Sequence, residues 1–216
     1  MDTTLRDGEQ THNVSFAPGE KLQLARILLG IVNVDRIEVA NARVSAGEKE
    51  SLNRITDWAL REGGESMLGR VEVLGLVDGG KSLHWIHESG GRVINLLTKG
   101  SLKHLSGQLK KTPEEHFRDI EAELKLSDSL GISVNVYLED WSNGYRDSRD
   151  YVYQMIDFLS GTKVTRIMLP DTLGVLYPSR VAEAFEDLSQ KYPQIHFDFH
   201  PHNDYGLGTI NSLEAA

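Results

Sequence analysis

The sequence predicts an α/β fold of parallel strands, and three observations carry the prediction. Short β-rich apolar runs alternate with longer amphipathic segments, the rhythm repeats roughly every thirty residues, and several long segments open on proline, as at Pro113 and Pro178. In chain order the expected strands are Val34–Ala40 (VDRIEVA), Val71–Val77 (VEVLGLV), Arg92–Leu97 (RVINLL), Ile132–Leu138 (ISVNVYL), Val164–Leu169 (VTRIML) and Ile195–His200. Helices are expected near 18–30, 46–63, 81–89, 113–130, 147–160 and 178–191. Strands that alternate with helices are joined by right-handed crossovers, which suits either a (β/α)8 barrel or a doubly wound sheet. On the barrel reading the first strand is only a stub before Leu5, and the sequence stops in the helix after the seventh. A truncated barrel is therefore expected, lacking its eighth unit, with residues 1–216 forming one catalytic domain.

Composition narrows the function. With 216 residues, 39% of them hydrophobic, the chain has material for one sizeable core. A formal charge of -9 argues against general nucleic-acid or anionic-membrane binding, both of which need a basic footprint. The absence of cysteine removes disulfides, thiolate metal sites and a cysteine nucleophile. No apolar run is long enough for a membrane span and no signal-peptide profile opens the chain, so a cytoplasmic location is expected.

The chemistry gathers where strands end. FDFHPHNDYGLG places His200 and His202 one residue apart on a strand, so both imidazoles project to one side and Pro201 to the other. Two imidazoles on one side are half of a metal site. Other strand ends carry Arg6, Asp7 and Glu9 (TTLRDGEQ), Glu139 and Asp140 (YLEDWSNG), and Asp171 and Thr172 (LPDTLG). A barrel collects such residues on its C-terminal rim. Asp7 is the best third ligand, because two His and one carboxylate leave positions open on Mn²⁺, Zn²⁺, Fe²⁺ or Mg²⁺. Arg6 suits stabilisation of a developing oxyanion or enolate, the competing role being a salt bridge to Asp7 or Glu9. Glu139 is a base or an ion-pair partner of Arg146. For the histidines the alternative is a buried pair bonded to backbone.

These residues resemble the DRE-TIM metallolyases, in the branch of 2-isopropylmalate, homocitrate and citramalate synthases. LRDGEQ followed by ten residues and Lys21 resembles that branch's first signature, and FHPHNDYGLG its second. The resemblance implies a TIM barrel that condenses acetyl-CoA with a 2-oxo acid, with a divalent metal (Mn, Zn or Mg) on Asp7, His200 and His202. It further implies that Arg6 stabilises the alkoxide or enolate, Thr172 binds the oxo-acid carboxylate, and Glu139 lies near the acetyl methyl. Tyr137, Leu97 and Leu74 are bulky apolar candidates for shrinking the pocket to pyruvate, which makes citramalate synthase the nearest member and 2-isopropylmalate synthase the next. Family members pair into homodimers, so one is expected here. Pro201 departs from the small residue usual between the histidines. The family's later Gly-Glu-Arg-Ala-Gly-Asn segment is absent from the sequence, so activity is expected to need more than residues 1–216.

Two rival readings stand beside this one. GLVDGGKS, Gly75 to Ser82, satisfies the phosphate-loop pattern of nucleotide-hydrolysing enzymes, although Gly75 falls inside an expected strand and Asp78 sets a carboxylate among the phosphates. A truncated barrel that binds metal or a partner without catalysis is the other.

Overall fold

A computed structural model describes residues 1–216. Its strands are β1 (Ile37–Asn41), β2 (Val71–Leu76), β3 (Val93–Lys99), β4 (Ser133–Glu139), β5 (Ile167–Asp171) and β6 (Phe197–Pro201). They hydrogen-bond in the order β1-β2-β3-β4-β5-β6, and the pairs β1/β2, β4/β5 and β5/β6 run parallel. A doubly wound sheet reverses its order at a switch point, whereas a barrel wall runs in unbroken sequence. The sequential order therefore selects the barrel-type α/β fold. The stub expected before Leu5 is a single bridge: Asp2 pairs in parallel with Ile37, its N–H donating to the Arg36 carbonyl at 2.9 Å and its carbonyl accepting from Glu38 N–H at 2.9 Å.

The helices are α1 (Pro18–Arg26), α2 (Ala46–Leu68), α3 (Lys81–Glu88), α4 (Leu102–His104), α5 (Pro113–Leu130), α6 (Trp141–Asp147), α7 (Arg149–Ser160), α8 (Pro178–Lys191) and α9 (Gly208–Glu214). All six expected strands and six expected helices form. Most strands begin later than their apolar runs. Before β1, for example, Val34 N–H turns back to the Leu28 carbonyl at 3.0 Å and cannot join the ladder. The helix expected to stop at residue 63 continues to Leu68, but it kinks at Gly64, whose φ of 61° and ψ of -157° are open chiefly to glycine. Sequence reasoning missed α6, since the helix after β4 is expected only near 147–160. The helix starts on Asp140 in the left-handed region (φ 64°), and Gly144 lets it pass so close to the chain at Gly100 that a Cβ would lie 1.8 Å from the Gly100 carbonyl oxygen.

The chain forms two compact units. The first comprises Met1–Leu96 and Ala122–Val134. Its core is built by Ile37, Val39, Leu52, Ile55, Val71, Val73, Leu83, Ile86 and Ile94, all buried. Alternation puts Val71 and Val73 on one side of β2 and Glu72 and Leu74 on the other. The second comprises Leu97–Glu121 and Asn135–Ala216. Trp141 anchors it, fully buried, with its ring against Tyr145, Phe185 and Phe199 at centroid distances of 5.5, 6.0 and 6.3 Å. Here Val152, Met155 and Ile156 of α7 and Val181, Ala184 and Leu188 of α8 supply the buried helix stripes at the spacing a helix face requires.

Candidate functional site

The N-terminal corner is a turn wound on one carbonyl. The Thr3 carbonyl accepts from the N–H groups of Arg6, Asp7 and Gly8 at 3.1, 2.8 and 3.1 Å, while Leu5 is fully buried as the anchor. Arg6 donates through Nη1 to Asp7 Oδ1 at 2.6 Å and through Nε to Glu38 Oε2. Glu38, fully buried in β1, also accepts from Asn95 Nδ2 at 2.7 Å. The salt bridge weighed against a catalytic role for Arg6 thus exists with Asp7 and Glu38. Glu9, the other partner considered, is tied to Lys21 at 2.6 Å. These bonds aim the guanidinium, so pairing and function are compatible here.

Beside this corner lies a cavity of about 350 Å³ lined by Arg6, Glu9, Gln10, Asn41, Ser45 and Glu48, among others. Its acidic members are held in place. Glu48 accepts from Asn41 N–H at 3.1 Å, Glu9 accepts from Phe16 N–H at 2.8 Å, and both pair with the fully buried Lys21.

The histidine strand obeys the alternation rule. His200 and His202 are half-buried, with ring centroids 5.1 Å apart, and the ring of the buried Tyr137 lies nearly perpendicular to that of His200 with centroids 6.1 Å apart. Pro201 loses nothing in its ladder. Ile167 N–H donates to the His196 carbonyl at 3.0 Å and His202 N–H to the Asp171 carbonyl at 3.3 Å, so the even-numbered residues of β6 bond toward β5. In a parallel ladder the odd-numbered N–H groups then point to the opposite side, where β6 has no neighbour in the sheet. Proline between the histidines falls where an N–H is not required by β5.

In the first unit Asp7 offers a carboxylate oxygen, and in the second His200 and His202 each offer an imidazole nitrogen. One carboxylate oxygen and two imidazole nitrogens form a donor set suited to a divalent ion with open positions.

Other expected site residues have definite occupations. Glu139 pairs with Lys99, which also donates to Gln108 Oε1 at 2.7 Å. Arg146, the partner considered for Glu139, instead forks onto Asp147 at 2.7 and 2.8 Å on the surface. Thr172 Oγ1 accepts from Asp140 N–H at 2.9 Å, which leaves its own hydroxyl proton for donation. Asp140 and Asp171 are structural. The first accepts from Ser101 Oγ and Asn143 Nδ2, both at 2.7 Å, and the second accepts from Val175 N–H at 3.1 Å and Leu176 N–H at 2.8 Å. Among the apolar candidates, Leu74 is buried and Leu97 half-buried.

The phosphate-loop reading fails on geometry. Gly75 lies within β2, and the N–H groups of Asp78, Gly79 and Gly80 all donate to Glu123 Oε1, at 3.0, 2.8 and 2.9 Å. The anion nest that a phosphate needs is filled by the protein's own carboxylate.

Sequence reasoning missed Glu38, Asn95, Lys99 and Glu48. Two of them had a signal: Glu38 in IEVA and Asn95 in VINLL are polar residues at the centre of apolar strands, an expensive placement without a partner.

A model of the family described as HMGL-like matches residues 1–216. The chain belongs to the HMGL-like family. Among curated members, the homocitrate synthase of Sulfolobus acidocaldarius is 32% identical over 220 residues, covering 100% of this chain and 44% of the relative. That of Saccharolobus islandicus strain L.S.2.15 is 31% identical over 216 residues, covering 100% and 45%. This HMGL-like chain therefore spans less than half the length of these curated relatives. Among solved structures, the hydroxymethylglutaryl-CoA lyase of Pseudomonas aeruginosa superposes with a TM-score of 0.77 at 20% identity, covering 100% of this chain and 72% of that one. The HMG-CoA lyase of Bacillus subtilis gives 0.77 at 18%, covering 99% and 71%. At such identities the superpositions speak for the fold alone.

Proposed function

We propose that this chain is the metal- and oxo-acid-binding part of an enzyme that condenses acetyl-CoA with a 2-oxo acid. The observation that carries the reading is the pair of half-buried imidazoles of His200 and His202, ring centroids 5.1 Å apart at the end of β6, in a chain about a third identical to homocitrate synthases over its whole length. A divalent cation bound there would supply Lewis-acid polarisation of the oxo-acid carbonyl. Arg6, aimed by Glu38 and Asp7, stabilises negative charge as the acetyl methyl loses a proton and its carbon bonds to the carbonyl carbon. Glu139 assists that proton removal. Thr172 donates its hydroxyl proton to the oxo-acid carboxylate, its acceptor lone pair being engaged by Asp140 N–H. Attack of water on the new thioester then releases CoA thiol and a hydroxy acid that carries one more carboxylate than the oxo acid.

The named relatives favour the oxo acid that yields homocitrate. A specific observation favours pyruvate and citramalate as a second reading: the bulky Tyr137 ring packs perpendicular to the His200 ring, which would leave little room beside that ligand for a long side chain. Rates of CoA thiol release with pyruvate, 2-oxoisovalerate and 2-oxoglutarate, measured on the complete gene product, decide among the acids. Release with none of the three overturns the condensation itself. Asp7→Asn is expected to weaken Mn²⁺ binding by more than about 100-fold, beyond the range typical of outer-sphere partners. Unchanged Mn²⁺ affinity in that variant removes Asp7 from the ligand set.

A further inference from the structure

A fully buried lysine forms the hub beneath the Arg6–Asp7 corner. Lys21 Nζ donates to Glu9 Oε2 at 2.6 Å, to Glu48 Oε1 at 2.5 Å and to the Val39 carbonyl at 3.2 Å. An ammonium has three donors, and all three are used. The third bond has its own cause. The β1/β2 register pairs Glu38 with Glu72 but Ala40 with Val73, so Val39 is the extra residue of a bulge, and its carbonyl is available to a side chain.

The carboxylates that meet Lys21 extend its reach. Glu9 lies in the turn Gly8–Gln10 directly after Asp7, and its second oxygen fixes Phe16 N–H, two residues before α1. Glu48 lies in the first turn of α2, and its second oxygen fixes Asn41 N–H at the end of β1. One ammonium therefore ties the corner, α1, β1 and α2 to a common point. Together with Arg6 it also sets the local charge: Asp7, Glu9, Glu38 and Glu48 are four carboxylates against two cations, which leaves a surplus of two negative charges in the cluster. Removal of a buried charge's only partner is costly, but Lys21 has two carboxylate partners, so Glu48 still pairs with it when Glu9 is lost.

We propose that Lys21 is the positioning residue for Asp7, acting through Glu9 to hold the LRDGEQ turn in the conformation that presents its carboxylate. The proposal rests on Asp7 being a metal ligand only for its functional consequence; the positioning itself is a property of the turn. Glu9→Gln keeps shape and leaves Lys21 paired with Glu48, so it tests the link with less threat to folding than Lys21→Met. Both variants are compared with the unaltered complete gene product by hydrogen–deuterium exchange and by Mn²⁺ titration. In Glu9→Gln, faster exchange is expected over Thr3–Phe16 with α2 and α3 unchanged, together with about tenfold weaker Mn²⁺ binding. Unchanged exchange over Thr3–Phe16 in both variants overturns the positioning role. So does an Mn²⁺ affinity that stays at the unaltered value while exchange rises. Failure of the unaltered protein to bind Mn²⁺ defeats the metal reading instead, and the exchange data still decide whether Lys21 holds the turn.

Discussion

The Arg6–Asp7 corner and the His200–His202 strand end fix their candidate site residues by opposite means. The corner is irregular backbone fixed by charge: Arg6, Lys21, Glu9, Glu38 and Glu48 lock side chains to one another across β1, α1 and α2. The strand end is regular backbone fixed by its ladder with β5; its imidazoles take their direction from strand alternation, and the Tyr137 ring packs perpendicular to that of His200. A turn has no ladder to fix its side chains, so buried ion pairs must do so. A strand needs only its register.

The largest expected effect tests the charged side. Arg6→Lys keeps the charge but cannot donate at once to Asp7 and Glu38 in the planar geometry of a guanidinium. It is expected to lower kcat on the order of 100-fold while changing KM for the oxo acid far less, as steady-state kinetics with acetyl-CoA will show. An equal loss in KM alone would make Arg6 a ground-state binder.

The second effect concerns a buried histidine outside both regions, whose neutrality contrasts with the charges of the corner. His116 is buried, and its Nε2 accepts from Lys99 N–H at 3.2 Å, next to the Lys99–Glu139 pair. Burial, helped by Lys111 and Lys99, pushes its pKa down from 6.5 to about 4. Between those values the unfolded chain binds the proton and the folded chain does not, so stability falls as pH drops through this window. The full difference corresponds to roughly 3 kcal/mol, most of it between pH 6.5 and 4.5. Denaturant melts of wild type and His116→Gln at pH 7 and pH 5 check it. The variant should lose about 2 kcal/mol less than wild type over that interval.

The smallest effect is Pro201→Ala. Its new N–H points away from β5, so the expected change in stability is below about 1 kcal/mol by thermal melting, and Mn²⁺ affinity stays unchanged. A larger loss would show that the proline stiffens the histidine strand beyond what its ladder requires.

Much of this molecule is legible in its sequence. Apolar runs located all six strands, and the HxH spacing alone set His200 and His202 on one side, because strand alternation is a local rule. The same locality explains the misses. Helix α6 depends on Asp140 adopting a left-handed conformation and on Gly144 passing close to Gly100, neither of which shows in YLEDWSNG. GLVDGGKS shows the danger of a motif without its partner: the loop makes a nest, as the pattern promises, but Glu123 occupies it from 43 residues away.

The sequence by itself determined the α/β rhythm, the family, and the residue types gathered at strand ends, since each follows from spacing along the chain. Only the tertiary structure decided who pairs with whom. It gave Arg6 to Glu38, Glu139 to Lys99 and the bulged Val39 carbonyl to Lys21, and it turned Pro201's missing N–H away from β5. The physical reason is that buried charges and backbone polar groups must be satisfied by whatever lies within hydrogen-bond reach, and reach is set by packing rather than by distance along the chain.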